Sequence, residues 1–312
     1  MIVSLLFLAA GFALLILSAD RFVLAASRVS AALGLSPILV GALVIGLGTS
    51  APEMLVSAIA ASQGEIDLAL GNVVGSNVAN LTLVLGSTAL VTPIISRLQT
   101  IRREGALMLL LMGVFTLLMW NLDLNRVEAF GLLVGMIVAA LLLILWSRSD
   151  LRAGRASVTD SEAVEWGGRV GKESLLGIGM LSLTLIGADL LVRGATGLTN
   201  DLGVSSAFVG LVIVSVGTSL PELATALAAA RRGQTDLVLG NVLGSNMFNT
   251  LAVAGIAGLV GPGVVDETFH NALILMMGAG VMAGVFSWRS PVRRSEGAML
   301  VVLFLVFVTL AV

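Results

Sequence analysis

Apolar runs of near-membrane length recur along this chain and leave little room for any fold except a set of spanning helices. Ile2 to Leu17, Leu107 to Trp120, Ala129 to Trp146 and Ala298 to Val312 are examples. Each approaches or reaches the roughly 17–25 residues that cross the hydrocarbon core of a bilayer. Only 12 % of the 312 residues are charged and 57 % are hydrophobic, whereas a soluble domain carries about 25 % charge. The chain is therefore expected in a membrane. Its first apolar run lacks a basic n-region and continues toward Asp20 without a convincing cleavage site, so it reads as the first span and not as a signal peptide.

Several chemistries are excluded by residue counts. The chain has no cysteine, which removes disulfide frameworks and thiolate metal sites. His270 is the single histidine, too few for a multi-histidine zinc or iron centre. A net charge of -2 and the lack of a basic, aromatic-interleaved patch give no reason to expect nucleic acid. No cofactor is expected.

Ten spans account for the pattern, at roughly 2–24, 37–61, 68–91, 104–121, 127–147, 174–198, 204–229, 236–260, 269–287 and 297–312, good to a few residues. Basic residues test the count. Arg28, then Arg97, Arg102 and Arg103, then Arg148, Arg152, Arg155, Arg169 and Lys172, then Arg231 and Arg232, then Arg289, Arg293 and Arg294 occupy alternate connections. The intervening ones hold Glu65 and Asp67, then Asp123, Arg126 and Glu128, then Asp201, then Asp266 and Glu267. Cytoplasmic loops retain Lys and Arg, so both termini are expected outside and the polar 148–173 linker inside, as a flexible tether.

The chain also matches itself at an offset of 169 from about Ala19 to Pro93. Gly48-Thr49-Ser50-x-Pro52-Glu53 aligns with Gly217-Thr218-Ser219-x-Pro221-Glu222, and Asn72, Ser76 and Asn80 align with Asn241, Ser245 and Asn249. Residues 1–147 and 174–312 thus form two five-helix repeats. An odd number of spans makes the second enter from the opposite side. The expected fold is an all-α membrane protein with ten transmembrane helices as two inverted-topology repeats, and in such folds substrates bind near the midplane at the repeat interface.

The repeated segment carries the chemistry. A carboxylate at mid-bilayer is costly and usually faces a functional cavity. Pro52 cannot donate to the carbonyl of Gly48, which disturbs the helix. Thr49 and Ser50 lie four and three residues before Glu53, so all three can share one face. Asn72, Ser76 and Asn80 recur at spacing four along the next span. Together with Thr218, Ser219, Glu222, Asn241, Ser245 and Asn249, these are hard oxygen donors suited to Na⁺, Ca²⁺ or Mg²⁺. The pseudo-symmetry brings Glu53 and Glu222 together.

Blander readings apply elsewhere. A lone Ser, Thr or Asn in a membrane helix is usually a contact between helices, and Asn77 and Asn246 are read that way. Asp20 and Asp189, near span ends, fit capping or orientation as well as ion contact. His270, Trp120, Trp146, Trp166 and Trp288 read as interfacial.

With these residues in view, the sequence resembles the calcium/cation antiporter superfamily, nearest its prokaryotic sodium/calcium exchanger branch. GTSAPE with GNVVGSNVAN and GTSLPE with GNVLGSNMFN carry the likeness, which covers essentially the whole chain. It implies that Glu53 and Glu222 bind Ca²⁺ and help hold Na⁺, and that Thr49 and Thr218 lend carbonyl or hydroxyl oxygens. It further implies flanking Na⁺ sites at Ser50, Ser76, Ser219 and Ser245, a central polar pair at Asn80 and Asn249, and backbone carbonyls at Gly46 and Ser215. Some relatives, potassium-dependent exchangers among them, carry aspartate where this chain has Asn249, so this chain has two central carboxylates, which argues against potassium co-transport.

The expected function is secondary antiport of Na⁺ for Ca²⁺ by alternating access in a prokaryotic inner membrane, with no enzymatic activity. By resemblance, spans 1 and 6 would move against the other eight. The first alternative is an H⁺/Ca²⁺ or other divalent-cation antiporter. A cation channel would pass ions without obligatory exchange. An intramembrane hydrolase finds no Ser–His or paired-Asp constellation here.

Overall fold

The computed structural model describes residues 2–32, 37–95, 99, 101–153, 170–199 and 209–310. Among them, six helices are long and apolar enough to cross a membrane, or seven if the bent pair Val40–Thr49 and Ala51–Ser62 counts as one. Ile2–Ala32 and Arg294–Leu310 are further long helices. The expected 154–169 section of the linker, with Trp166 and Asp201, lies outside the described residues.

Several helices outrun their expected bounds. Helix Arg126–Arg152 continues past 147 into the expected linker, and Val170–Thr199 begins before 174. Polar residues extend both, because a helix satisfies its own backbone whether or not lipid surrounds it. The all-α expectation also needs a small amendment. Asp123–Leu124 and Gly263–Val264 form a two-stranded antiparallel pair, Asp123 opposite Val264.

The internal repeat appears element by element at the same offset. Helix Ile66–Ala79 corresponds to Thr235–Phe248, the π-helical stretch Asn80–Val84 to Asn249–Val253, and Ala51–Ser62 to Leu220–Arg231. The turns repeat too. Gly64 and Gly233 have φ of 82° and 70°, a backbone region that glycine enters without steric cost.

Two helices form the centre. Ile66–Val91 and Thr235–Val260 are almost wholly buried along their apolar stretches, whereas Arg126–Arg152 is mostly not and presents Phe130, Ile137 and Leu141 outward, a surface suited to lipid. Around the centre the halves interlock. Val40–Gly46 packs on Thr235–Phe248, and Val209–Val214 packs on Ile66–Ala79. Glycine permits this approach: a Cβ on Gly75 would strike the Leu211 carbonyl, and one on Gly244 the Ala42 carbonyl. Helices Ile2–Ala32 and Val170–Thr199 pack extensively on each other.

Candidate functional site

The expected second span does not run straight. The limb Val40–Thr49 ends at Ser50, and the following helix Ala51–Ser62 leaves at 43°. Pro52 sits in the first turn of that helix, where a missing N–H costs nothing because no helical partner exists for it. Proline therefore opens a new helix more than it kinks an old one. Ser219, just before helix Leu220–Arg231, and Pro221, in its first turn, repeat the arrangement. Each break leaves a glutamate in the first turn, Glu53 in one half and Glu222 in the other.

Both glutamates are buried, 0 % and 1 % exposed. They are electrostatic neighbours, and the Thr218 and Ser219 side chains of the second half lie beside Glu53. Ser50 donates to Glu222 Oε1 across the halves at 3.0 Å, and Ser245 reaches the same oxygen at 3.4 Å. The sequence spacing puts Ser50 beside Glu53. The bend turns its hydroxyl to the other half's glutamate instead.

Other expected residues also lie inside the protein: Gly46, Thr49, Ser76, Asn80, Ser215 and Asn249 are all buried. Ser76 donates to the Ser215 carbonyl at 3.5 Å. The Gly46 and Ser215 carbonyls each accept the backbone N–H of the serine four residues on, at 3.0 Å, and each also lies within 3.3–3.4 Å of the threonine hydroxyl of its own half, Thr49 or Thr218. The π-helical stretch that starts at Asn80 packs on the helix of Glu222, and that of Asn249 packs on the helix of Glu53.

Buried polar atoms are almost always paired, so the unpaired ones here are informative. Glu53 Oε1 and Oε2, Glu222 Oε2, Ser219 Oγ, Asn80 Oδ1 and Asn249 Oδ1 are buried and make no hydrogen bond. All are hard oxygens, the donor type that Ca²⁺ and Na⁺ take. Among the described residues no group of three or more His, Asp or Glu is assembled to hold a metal, so the two glutamates carry the charge of this cluster.

The profile of the family described as "Sodium/calcium exchanger protein" matches residues 3–145 and 174–312. The chain belongs to this family. Its relatives include the putative antiporter CaxA of Alkalimonas amylolytica, 37 % identical over 98 % of this chain and 97 % of that protein. Inner membrane protein YrbG of Escherichia coli strain K12 is 34 % identical over 95 % of this chain and 92 % of its own length. The solved structure of the sodium-calcium exchanger NCX_Mj, soaked with Na⁺ and Ca²⁺, superposes with a TM-score of 0.82. It is 27 % identical, covering 98 % of this chain and 97 % of that one.

Three residues had no place in the expected site of this exchanger-family chain. Ser57 and Thr225 accept from the Nδ2 of Asn72 and Asn241 at 3.1 and 3.3 Å. They are not 169 apart, so the self-match hides them. Thr250, which accepts from Asn77 Nδ2 at 3.1 Å, faces a leucine, Leu81, in the repeat alignment. Asn77 thus joins two helices, and Asn246 bonds its own helix at Val242. Asp189 pairs with Arg193 at 2.7 Å on the surface; the side chain of Asp20 lies outside the described set. His270 meets the Trp120 carbonyl at 3.1 Å.

Proposed function

We propose that this protein exchanges Na⁺ for Ca²⁺ across a prokaryotic inner membrane, by alternating access around Glu53 and Glu222. The observation that carries the reading is the pair itself: two buried carboxylates from matching helix starts, with three of their four oxygens unpaired. The family and the likeness to NCX_Mj support the choice of ions. Two carboxylates balance one Ca²⁺ or two Na⁺. Ligands shared in this way make the ions compete, and competition couples their opposite movements.

In this reading the ten spans form two inverted five-helix repeats, 1–147 and 174–312, with a cytoplasmic 148–173 linker and both termini outside. The repeated element boundaries and the alternating arginines support it, as does YrbG, named an inner membrane protein. Ca²⁺ takes about six to eight oxygens. The glutamates, Thr49, Thr218 and nearby carbonyls, those of Gly46 and Ser215 among them, supply them, while Ser50, Ser76, Ser219 and Ser245 serve the flanking Na⁺ positions and Asn80 and Asn249 form the central polar pair. If more than two Na⁺ move per Ca²⁺, each net charge feels about 2.3 kcal/mol per 100 mV.

The test is Ca²⁺ uptake into proteoliposomes preloaded with Na⁺. Wild type should take up Ca²⁺ only against an outward Na⁺ gradient, and Glu53→Gln and Glu222→Gln should fall to the protein-free background. Uptake driven equally by a pH gradient without Na⁺ would replace the reading with proton coupling. Uptake that needs no counter-ion would replace it with a channel.

A further inference from the structure

A cavity of about 560 Å³ lies away from the glutamates, between helices Ile101–Asn121 and Phe269–Arg289 and against the central helices. Leu85, Leu109, Leu243 and Val285 are among its walls, and Arg102, Trp288 and Arg289 line it as well. The two arginines stand at helix ends, Arg102 near the start of one and Arg289 closing the other. Both are exposed. The Arg102 guanidinium sits 4.9 Å from the centre of the Trp288 ring.

The neighbouring arginine makes the contrast plain. Arg103 pairs with Asp150 at 2.8 Å and lies near Glu104 at 3.7 Å. Among the described residues, neither Arg102 nor Arg289 has a carboxylate partner. Two uncompensated cations therefore stand beside an apolar cleft in a membrane protein.

Such a cleft is complementary to one kind of molecule, with a hydrocarbon chain at one end and a net negative head at the other. A small soluble anion would answer the arginines and leave the apolar walls unused. A zwitterionic lipid would bring its own cation against them. The tryptophan suits the boundary between chain and headgroup, where its apolar ring and polar edge are both satisfied.

We propose that this cleft is a binding site for an anionic glycerophospholipid, with an acyl chain between the helices and the phosphate held by Arg102 and Arg289. Because its walls include Leu85, on the helix of Asn80, and Leu243, on the helix of Ser245, an occupant braces the central helices. The site does not depend on which ions the protein carries.

The experiment compares phosphatidylglycerol with phosphatidylcholine on the detergent-purified full chain, by native mass spectrometry and thermal unfolding. Wild type should retain phosphatidylglycerol and melt higher in its presence, since a ligand bound only to the folded state stabilises it. The pair Arg102→Gln/Arg289→Gln should weaken retention by about tenfold or more, a loss of about 1.4 kcal/mol per tenfold. Gly284→Phe, which fills the cleft and keeps both arginines, should also lose the lipid, whereas Arg231→Gln should not. Equal retention of phosphatidylcholine by wild type overturns the proposal without any variant. So does wild-type retention by the double variant, an equal loss in Arg231→Gln, or full displacement by glycerol phosphate at matched concentration.

Discussion

Asn72 accepts a hydrogen bond from the Thr218 hydroxyl at 3.1 Å and donates from its Nδ2 toward the Glu53 carbonyl at 3.5 Å, so one amide ties the glutamate of one half to the threonine of the other. Asn241 stands in the same position toward Glu222 and Thr49, at 3.3 and 3.5 Å. The two ties differ in strength. Thr49 makes its shorter bond, 2.9 Å, to Ile45 of its own helix, whereas Thr218 reaches the Ser215 carbonyl only at 3.3 Å.

That asymmetry gives an ordering. Asn72→Ala leaves buried groups unpaired and should destabilise by about 1–3 kcal/mol, with weaker Ca²⁺ uptake at low Ca²⁺. Asn241→Ala should cost less, because Thr49 keeps its own-helix partner. Thermal unfolding in detergent and Ca²⁺-dependent uptake check both; a larger loss in Asn241→Ala would reverse the ordering.

Ser50 supplies the 3.0 Å bond to Glu222. Hydrogen bonds to charged groups contribute about 1.5–3 kcal/mol. Ser50→Ala should therefore raise the Na⁺ concentration for half-maximal exchange by about tenfold or more. It should leave Ca²⁺ binding less affected than Glu222→Gln does. Exchange measured across a Na⁺ titration reads the effect.

Acid should inhibit. The cations need both carboxylates ionised, and protonation removes the charge that balances them, so uptake falls as pH is lowered. Added Na⁺ or Ca²⁺ should restore part of the rate, since metal and proton compete for the same oxygens. Full transport retained well below about pH 5, near the ordinary glutamate range, would contradict a shared-carboxylate site. The measurement is initial uptake against external pH at fixed Na⁺ gradient.

Packing at the centre makes a separate forecast. Gly75→Ala sets a Cβ against the Leu211 carbonyl, backbone that cannot yield cheaply. Overpacking of this kind costs about 1–3 kcal/mol. Gly131→Ala on an outer helix meets nothing within 4 Å and should be neutral or stabilising by about 0.5–1 kcal/mol. Melting temperatures of the two variants separate the cases.

What could be read from residues alone was whatever depends on local pattern. Apolar run length made the chain a membrane protein, because lipid offers the backbone no other partner. The 169-residue self-match anticipated the paired elements, and a proline next to a buried glutamate marked each site helix. These signals need only neighbours in sequence. The partners of each side chain were beyond that reach. Ser50 and Glu53 share a helical face by spacing, yet the break at Ser50 turns the hydroxyl to Glu222. Ser57 and Thr225 steady the two asparagines from positions that the repeat does not relate. Such pairings arise only when the two halves interlock, because a hydrogen bond depends on where the second helix lies, and that position is set by close packing of Gly75 and Gly244 against distant backbone.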